Sequence, residues 1–189
     1  MPPLILDLCG GSGSWSQPFA DAGYCVINVT LPAADVREYK PPPQVFGVLA
    51  APPCNDFAVS GAQYWKQKDK DGRTLTSLEV VTHCLRIIAE AKPVFWAIEN
   101  PVGRLKRWLG EPRMYFNPCD FGDPYTKKTC LWGNFRIPKE KPVKPVRVCK
   151  QGSWIQKLGG KSAKTKYLRS ITPPGFAKAF FEANNGGAD

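Results

Sequence analysis

Leu4-Ile5-Leu6-Asp7-Leu8-Cys9-Gly10-Gly11-Ser12-Gly13-Ser14 is the stretch that decides the fold. Residues 4–8 are an apolar run broken only by Asp7, the pattern of a buried strand. The Gly/Ser cluster at 10–14 reads as a tight strand-to-helix turn, because glycine admits backbone conformations and close approaches that other residues resist. Residues 16–22 fit a helix closed by Gly23, and residues 24–29 form a second apolar strand. A third strand over 45–50 runs straight into Pro52-Pro53-Cys54. Residues 75–91 carry apolar side chains at 78, 81, 85, 88 and 89, a helical spacing stopped by Lys92-Pro93. A fourth strand over 94–98 ends at Glu99-Asn100-Pro101. Strands alternating with helices predict an α/β fold with a mostly parallel sheet and helices on both faces. A later strand is expected over 128–135, containing Leu131 and Trp132, and a C-terminal helix with Pro174 in its first turn. The polar, Gly-flanked stretch 61–73 is expected to be a mobile loop.

The 189 residues, 43% of them hydrophobic, suit one domain with a small appendage. No stretch approaches the roughly 20 apolar residues of a membrane span. The first residues carry no basic leader, so a soluble cytoplasmic protein with no membrane partner is expected. Seven Cys at irregular spacing, without a Cys-x-x-Cys pair and with His83 as the one histidine, point to reduced thiols and no metal site. The formal net charge is +10. Residues 136–169 hold eleven Lys or Arg against Glu140 alone, while the rest of the chain is balanced. A solvated basic linker has this composition. So does a footprint for nucleic acid, and the interleaved Trp154 and Tyr167 favour that option by adding stacking groups.

In open parallel sheets the ligand site lies beyond the carboxyl ends of the strands. Residues 7–15, 52–57 and 99–101 should therefore converge on one edge. The Gly-rich turn has Gly11-x-Gly13 but Ser16 at the third glycine position, and the second strand ends at Thr30 rather than an acid. Both features disfavour a nicotinamide dinucleotide; a purely structural turn stays open. Two prolines fix the chain before Cys54, which suits a nucleophile, though a single Cys is more often inert core. Glu99 follows the apolar run VFWAI, where desolvation should raise its pKa as an acid catalyst needs. A plain loop acid is the alternative.

LDLCGGSGSW, APPCNDFAVSG and AIENP, in this order and spacing, resemble the cofactor loop, the Pro-Cys nucleophile loop and the Glu-Asn pair of the cytosine-5 DNA methyltransferases. The resemblance runs over roughly residues 4–105. ITPPGFAKAFFEA looks like a C-terminal motif that returns to the cofactor, and TCLWGNF and RSITPPGFA look like segments of compact phage-encoded relatives. The resemblance implies a Rossmann-like fold dependent on S-adenosylmethionine. Residues 1–135 and 170–189 would form the catalytic domain, with 136–169 a short basic insertion in place of a target recognition domain. It implies Cys54 as nucleophile on cytosine C6, Glu99 at N3, Asn100 bracing the loop, and Lys127 in place of a family arginine. Asp7, Cys9, Gly10, Gly11, Ser12, Gly13, Ser14, Thr30, Asp35, Val36 and Pro53 would form the cofactor site, with Asp35 facing the adenine.

DNA is the implied partner, and the target base must be flipped out of a duplex. Arg136, Lys150, Trp154, Lys157, Lys161, Lys164, Lys166 and Arg169 are the candidate nucleic-acid contacts. Thr30 stands where the family has a ribose-binding acid, and Thr129 where it has a second arginine. Two other functions fit the same residues: methylation of a free pyrimidine nucleotide or single strand, and a non-catalytic DNA-binding module. A role in protecting phage DNA from restriction is the biological expectation.

Overall fold

The computed structural model describes residues 2–158 and 162–186. In chain order it contains β1 (Leu4–Leu8), α1 (Gln17–Asp21), β2 (Cys25–Val29), β3 (Val45–Ala50), α2 (Trp65–Lys70), α3 (Arg73–Ala91), β4 (Phe95–Pro101), α4 (Lys106–Leu109), β5 (Met114–Phe116), β6 (Thr129–Asn134), α5 (Trp154–Lys157), α6 (Ala163–Ser170) and α7 (Pro174–Asn184). Single 3-10 segments cover Val59–Tyr64 and Pro118–Phe121.

The six strands form one sheet in the order β2-β1-β3-β4-β6-β5. β1 to β4 are parallel, while β6 runs antiparallel between β4 and β5. One row of register partners crosses the sheet as Val29, Leu8, Ala50, Ile98 and Trp132. It marks the edge at which the parallel strands end.

Alternation along the strands builds two cores. Leu6, Leu8, Val48, Ala50 and Ile98 pack on Val81, Cys84, Ile87 and Ile88 of α3. Ile5, Leu49, Phe95, Ala97 and Leu131 pack on Phe19 of α1 and on Phe176 and Phe180 of α7. Helices thus cover both faces. Phe176 stacks on Phe116 with ring centroids 3.9 Å apart, so α7 is fastened to the sheet by aromatic packing.

Residues 61–73 are not a loop. They form the end of the 3-10 segment, α2 and the start of α3. Their polarity misleads because the polar groups pair inward. Arg104 is 4% exposed and donates to both oxygens of Asp69 at 2.8 and 2.9 Å and to Thr74 at 2.6 Å. Its guanidinium lies over Trp65, 5.0 Å from the ring centroid.

After β6 the chain leaves at the amino edge of the sheet and runs back along the body. The N–H groups of Lys141, Val143 and Val146 donate to the carbonyls of Asp120, Cys119 and Pro124. Among the described residues no helix is long and apolar enough to cross a membrane.

Candidate active site

The carboxyl edge carries the turn after β1. Cys9 has φ 57°, and Gly11 and Gly13 have φ 55° and 70°. Gly11 and Gly13 supply the left-handed backbone without strain. Beneath the turn lies Asp7, fully buried, accepting a hydrogen bond of 2.5 Å from Ser16. A Cβ on Gly10 would collide with the Asp7 carboxyl group, so the glycine lets the turn close over it. Burial raises the Asp7 pKa to about 6 against the opposing Ser16 bonds. Asn28, at the end of β2, donates to Gly11 O at 3.2 Å, while its own Oδ1 is buried without a partner among the described residues. Ser14 Oγ accepts from the Thr172 N–H at 2.9 Å, so the chain just before α7 returns to the turn. Cys9 packs beside the α3-side core, near Cys84.

The segment after β2 sits on α3. Arg86 donates to the carbonyls of Val36 and Tyr39 at 3.0 and 2.8 Å and so pins it. Val36 is core, 4% exposed. Asp35 is gripped by Arg37, which holds its pKa down to about 2. Thr30 caps this segment by accepting from the Ala34 N–H.

The Pro52-Pro53-Cys54 turn leaves β3 next to the end of β4. Asn100, fully buried, donates from Nδ2 to Pro52 O at 3.0 Å. Cys54 is partly buried, and its carbonyl accepts from the N–H groups of Phe57 and Ala58. Burial and the charge of Glu99 raise the Cys54 thiol pKa, while Lys127 and Arg169 oppose that rise. Burial raises the Glu99 pKa, again opposed by Lys127. Cys54 thus feels the charges of Glu99, Lys127 and Arg169, and Glu99 that of Lys127. Lys127 Nζ donates to Arg169 O at 3.0 Å, which ties the approach to β6 to the end of α6. Thr129 is buried and turns its hydroxyl to Lys127 O at 2.8 Å.

The candidate nucleic-acid residues separate. Arg169 reaches the Cys54 edge. Lys164 and Lys166 are exposed on α6, as is Tyr167. Trp154 is 38% exposed and packs on Tyr125 at 5.2 Å between ring centroids. Lys150 and Lys157 are exposed, whereas Lys161 lies outside the described residues. Arg136 does not join this group. It follows β6 at the opposite edge, where its N–H donates to Asn184 Oδ1 at 2.8 Å.

Sequence reasoning missed Lys68, Arg86 and Arg104, because their partners lie far away in the chain. Among the described residues no cluster of three His, Cys, Asp or Glu is placed to hold a metal.

No protein-family model and no curated protein matches this chain. Among solved structures it is similar to a prophage-encoded E. coli protein, provisionally assigned as a DNA modification methyltransferase. The two are 19% identical with a TM-score of 0.49 over 85% of this chain and 56% of that chain. This chain thus spans little more than half the length of that protein.

Proposed function

We propose that this chain is a DNA methyltransferase that transfers a methyl group to C5 of cytosine through Cys54. The observation that carries the proposal is the meeting of Cys54, Glu99 and Lys127 at one strand edge, beside a Gly-rich turn. Cytosine C5 is a poor nucleophile. Addition of the Cys54 thiolate to C6, with Glu99 donating a proton or hydrogen bond to N3, makes C5 enamine-like. Burial shifts Glu99 toward its protonated form, and the burial that disfavours the Cys54 thiolate is opposed by the charges of Lys127 and Arg169. Asn100 keeps the Cys54 turn against β4. Once C5 carries the methyl group, a solvent-derived base takes the C5 proton, and the electron pair of that C–H bond expels the Cys54 thiolate from C6.

S-adenosylmethionine suits the turn after β1. Nothing lies within 4 Å of a Cβ built on Gly11, and Asn28 Oδ1 offers a buried acceptor without a partner among the described residues. Residues 10–14, with Asp7 as their support, and the segment from Thr30 to Val36 would hold it, with Asp35 toward the adenine and Pro53 beside the donor. It supplies the electrophilic methyl group that C5 takes.

Residues 1–135 and 170–189 serve in this proposal as the catalytic body. The basic insertion 136–169, apart from Arg136 at the opposite edge, serves as a contact to DNA phosphates, with few side chains to read base edges. Cytosolic DNA, in a bacterial host if the chain is phage-encoded, is the expected partner.

The test is incubation with methyl-labelled S-adenosylmethionine and duplex DNA, single-stranded DNA or cytidine nucleotides, beside Cys54→Ser. Label recovered as 5-methylcytosine in DNA and lost in the variant supports the proposal. Label only in free nucleotide moves the substrate. No label in any acceptor, with DNA still bound, moves the function to a binding module.

A further inference from the structure

We infer, on the proposed role of Cys54 as nucleophile, that Lys68 and Arg104 are positioning residues that lock the Cys54 loop before substrate arrives, Lys68 to α2 and Arg104 to the segment that follows the Glu99 strand. Two cations are nearly buried immediately behind this loop. Lys68 is 8% exposed, and its ammonium donates to the Asn55 carbonyl and pairs with Asp56 at 3.2 Å. Asp56 is held from its other oxygen by Ser77 at 2.6 Å. Arg104 donates to the Asp56 carbonyl at 2.9 Å, besides its fork on Asp69 and its bond to Thr74. Both cations thus close on the two residues that follow Cys54.

The backbones are zipped in the same place. Arg104 N–H donates to Phe57 O, and Val59 N–H to Val102 O, each at 2.9 Å. Ala58 bridges Gly103. A Cβ on Gly103 would run into the Phe57 carbonyl, so the contact is as close as backbone allows. The segments five residues beyond Cys54 and five beyond Glu99 are therefore one unit.

Taking two charges out of water yields little net stability over apolar packing. What such a network does supply is fixed geometry, each member being satisfied only in one arrangement. The loop holds Cys54 relative to Glu99 in that arrangement, and displacement of a nucleophile by about 1 Å can cost on the order of 10²-fold in rate.

The experiment uses the full chain, wild type and as Lys68→Met and Arg104→Lys. Hydrogen exchange is followed at residues 59 and 104, whose amides cross between the two segments, and alkylation of Cys54 by iodoacetamide is compared with the exposed Cys25 of the same molecule. Amides 59 and 104 of the wild type should exchange as slowly as those of β4. In each variant that protection should fall and Cys54 alkylation should speed up several-fold, with Cys25 unchanged. Methyl transfer should then lose up to about 10²-fold in kcat, with KM for DNA nearly unchanged. Fast exchange at 59 and 104 in the wild type overturns the inference without any variant. So does a variant that folds with Cys54 alkylation and kcat at wild-type values. Equal methylation by Cys54→Ser would instead remove Cys54 as nucleophile, and the exchange and alkylation results would still decide whether the loop is locked.

Discussion

The side-chain amide of Asn100 donates to the carbonyl of Pro52 at 3.0 Å, so the neighbour of Glu99 in β4 holds the turn that presents Cys54. The bond is buried and links two elements 48 residues apart in the chain. Replacing Asn100 by Ala leaves the Pro52 carbonyl unsatisfied inside the protein. Asn100→Ala should cost about 1–3 kcal/mol of stability and lower the methyl-transfer rate. Urea unfolding checks the first effect and single-turnover kinetics the second. A variant with wild-type values in both would show that the bond positions nothing.

Lys127 holds down the pKa of both Cys54 and Glu99. Removing its charge should raise both. In Lys127→Met, the pH midpoint of Cys54 alkylation should move upward, since a thiolate without its cation forms only at higher pH. Iodoacetamide rates measured across pH 6–10 test this. An unchanged midpoint would mean that the Lys127 charge does not reach the thiol.

Asp7 keeps its proton up to about pH 6 in the folded chain, against an ordinary value of 3.8. The native state therefore binds the proton more tightly than the unfolded state does. The contribution of Asp7 to stability is fully present below pH 3.8 and is lost as pH rises through 6. Asp7→Asn removes that dependence. Relative to wild type, the variant should gain up to about 3 kcal/mol between pH 4 and pH 7.5, read from urea midpoints at the two pH values. Parallel stability curves for the two proteins would contradict it.

Gly103 sits where a methyl group would strike the backbone of Phe57. Gly103→Ala should cost about 1–3 kcal/mol and should loosen the loop behind Cys54. A shift in melting temperature with accelerated exchange at residues 57–59 is the expected outcome.

The elements legible in the sequence were those with local periodicity. The apolar runs around Leu6, Leu49 and Ile98 each became a strand, and α7 begins at Pro174. The short strand Met114–Phe116 was not legible, because three residues carry no alternation and its pairing with β6 is tertiary. The helical character of residues 61–73 was hidden for a related reason. Lys68 and Asp69 read as solvated charges until Asp56 and Arg104, 12 and 35 residues away, are brought against them. At the candidate site, Cys54 stood out because it follows a recognisable strand, and Glu99 and Asn100 because they stand where an apolar run ends, which the fold extends as β4 to Pro101. Arg169 read as one phosphate contact among many, and only the folded chain brings its charge within reach of Cys54 and its carbonyl onto Lys127. Arg136 carried the same signal in sequence, yet lies at the far edge.

The central claim is that Cys54 bonds covalently to cytosine during methyl transfer to C5. The most direct test uses duplex DNA carrying 5-fluorocytosine, incubated with the protein and S-adenosylmethionine. Fluorine replaces the C5 proton that must leave, so the Cys54 adduct cannot collapse. A denaturant-stable protein–DNA species, with the nucleotide mapped by mass spectrometry to the peptide containing Cys54 and absent in Cys54→Ser, is the predicted result. Methylation of ordinary DNA by this protein without any such species from the fluorinated substrate would contradict the account.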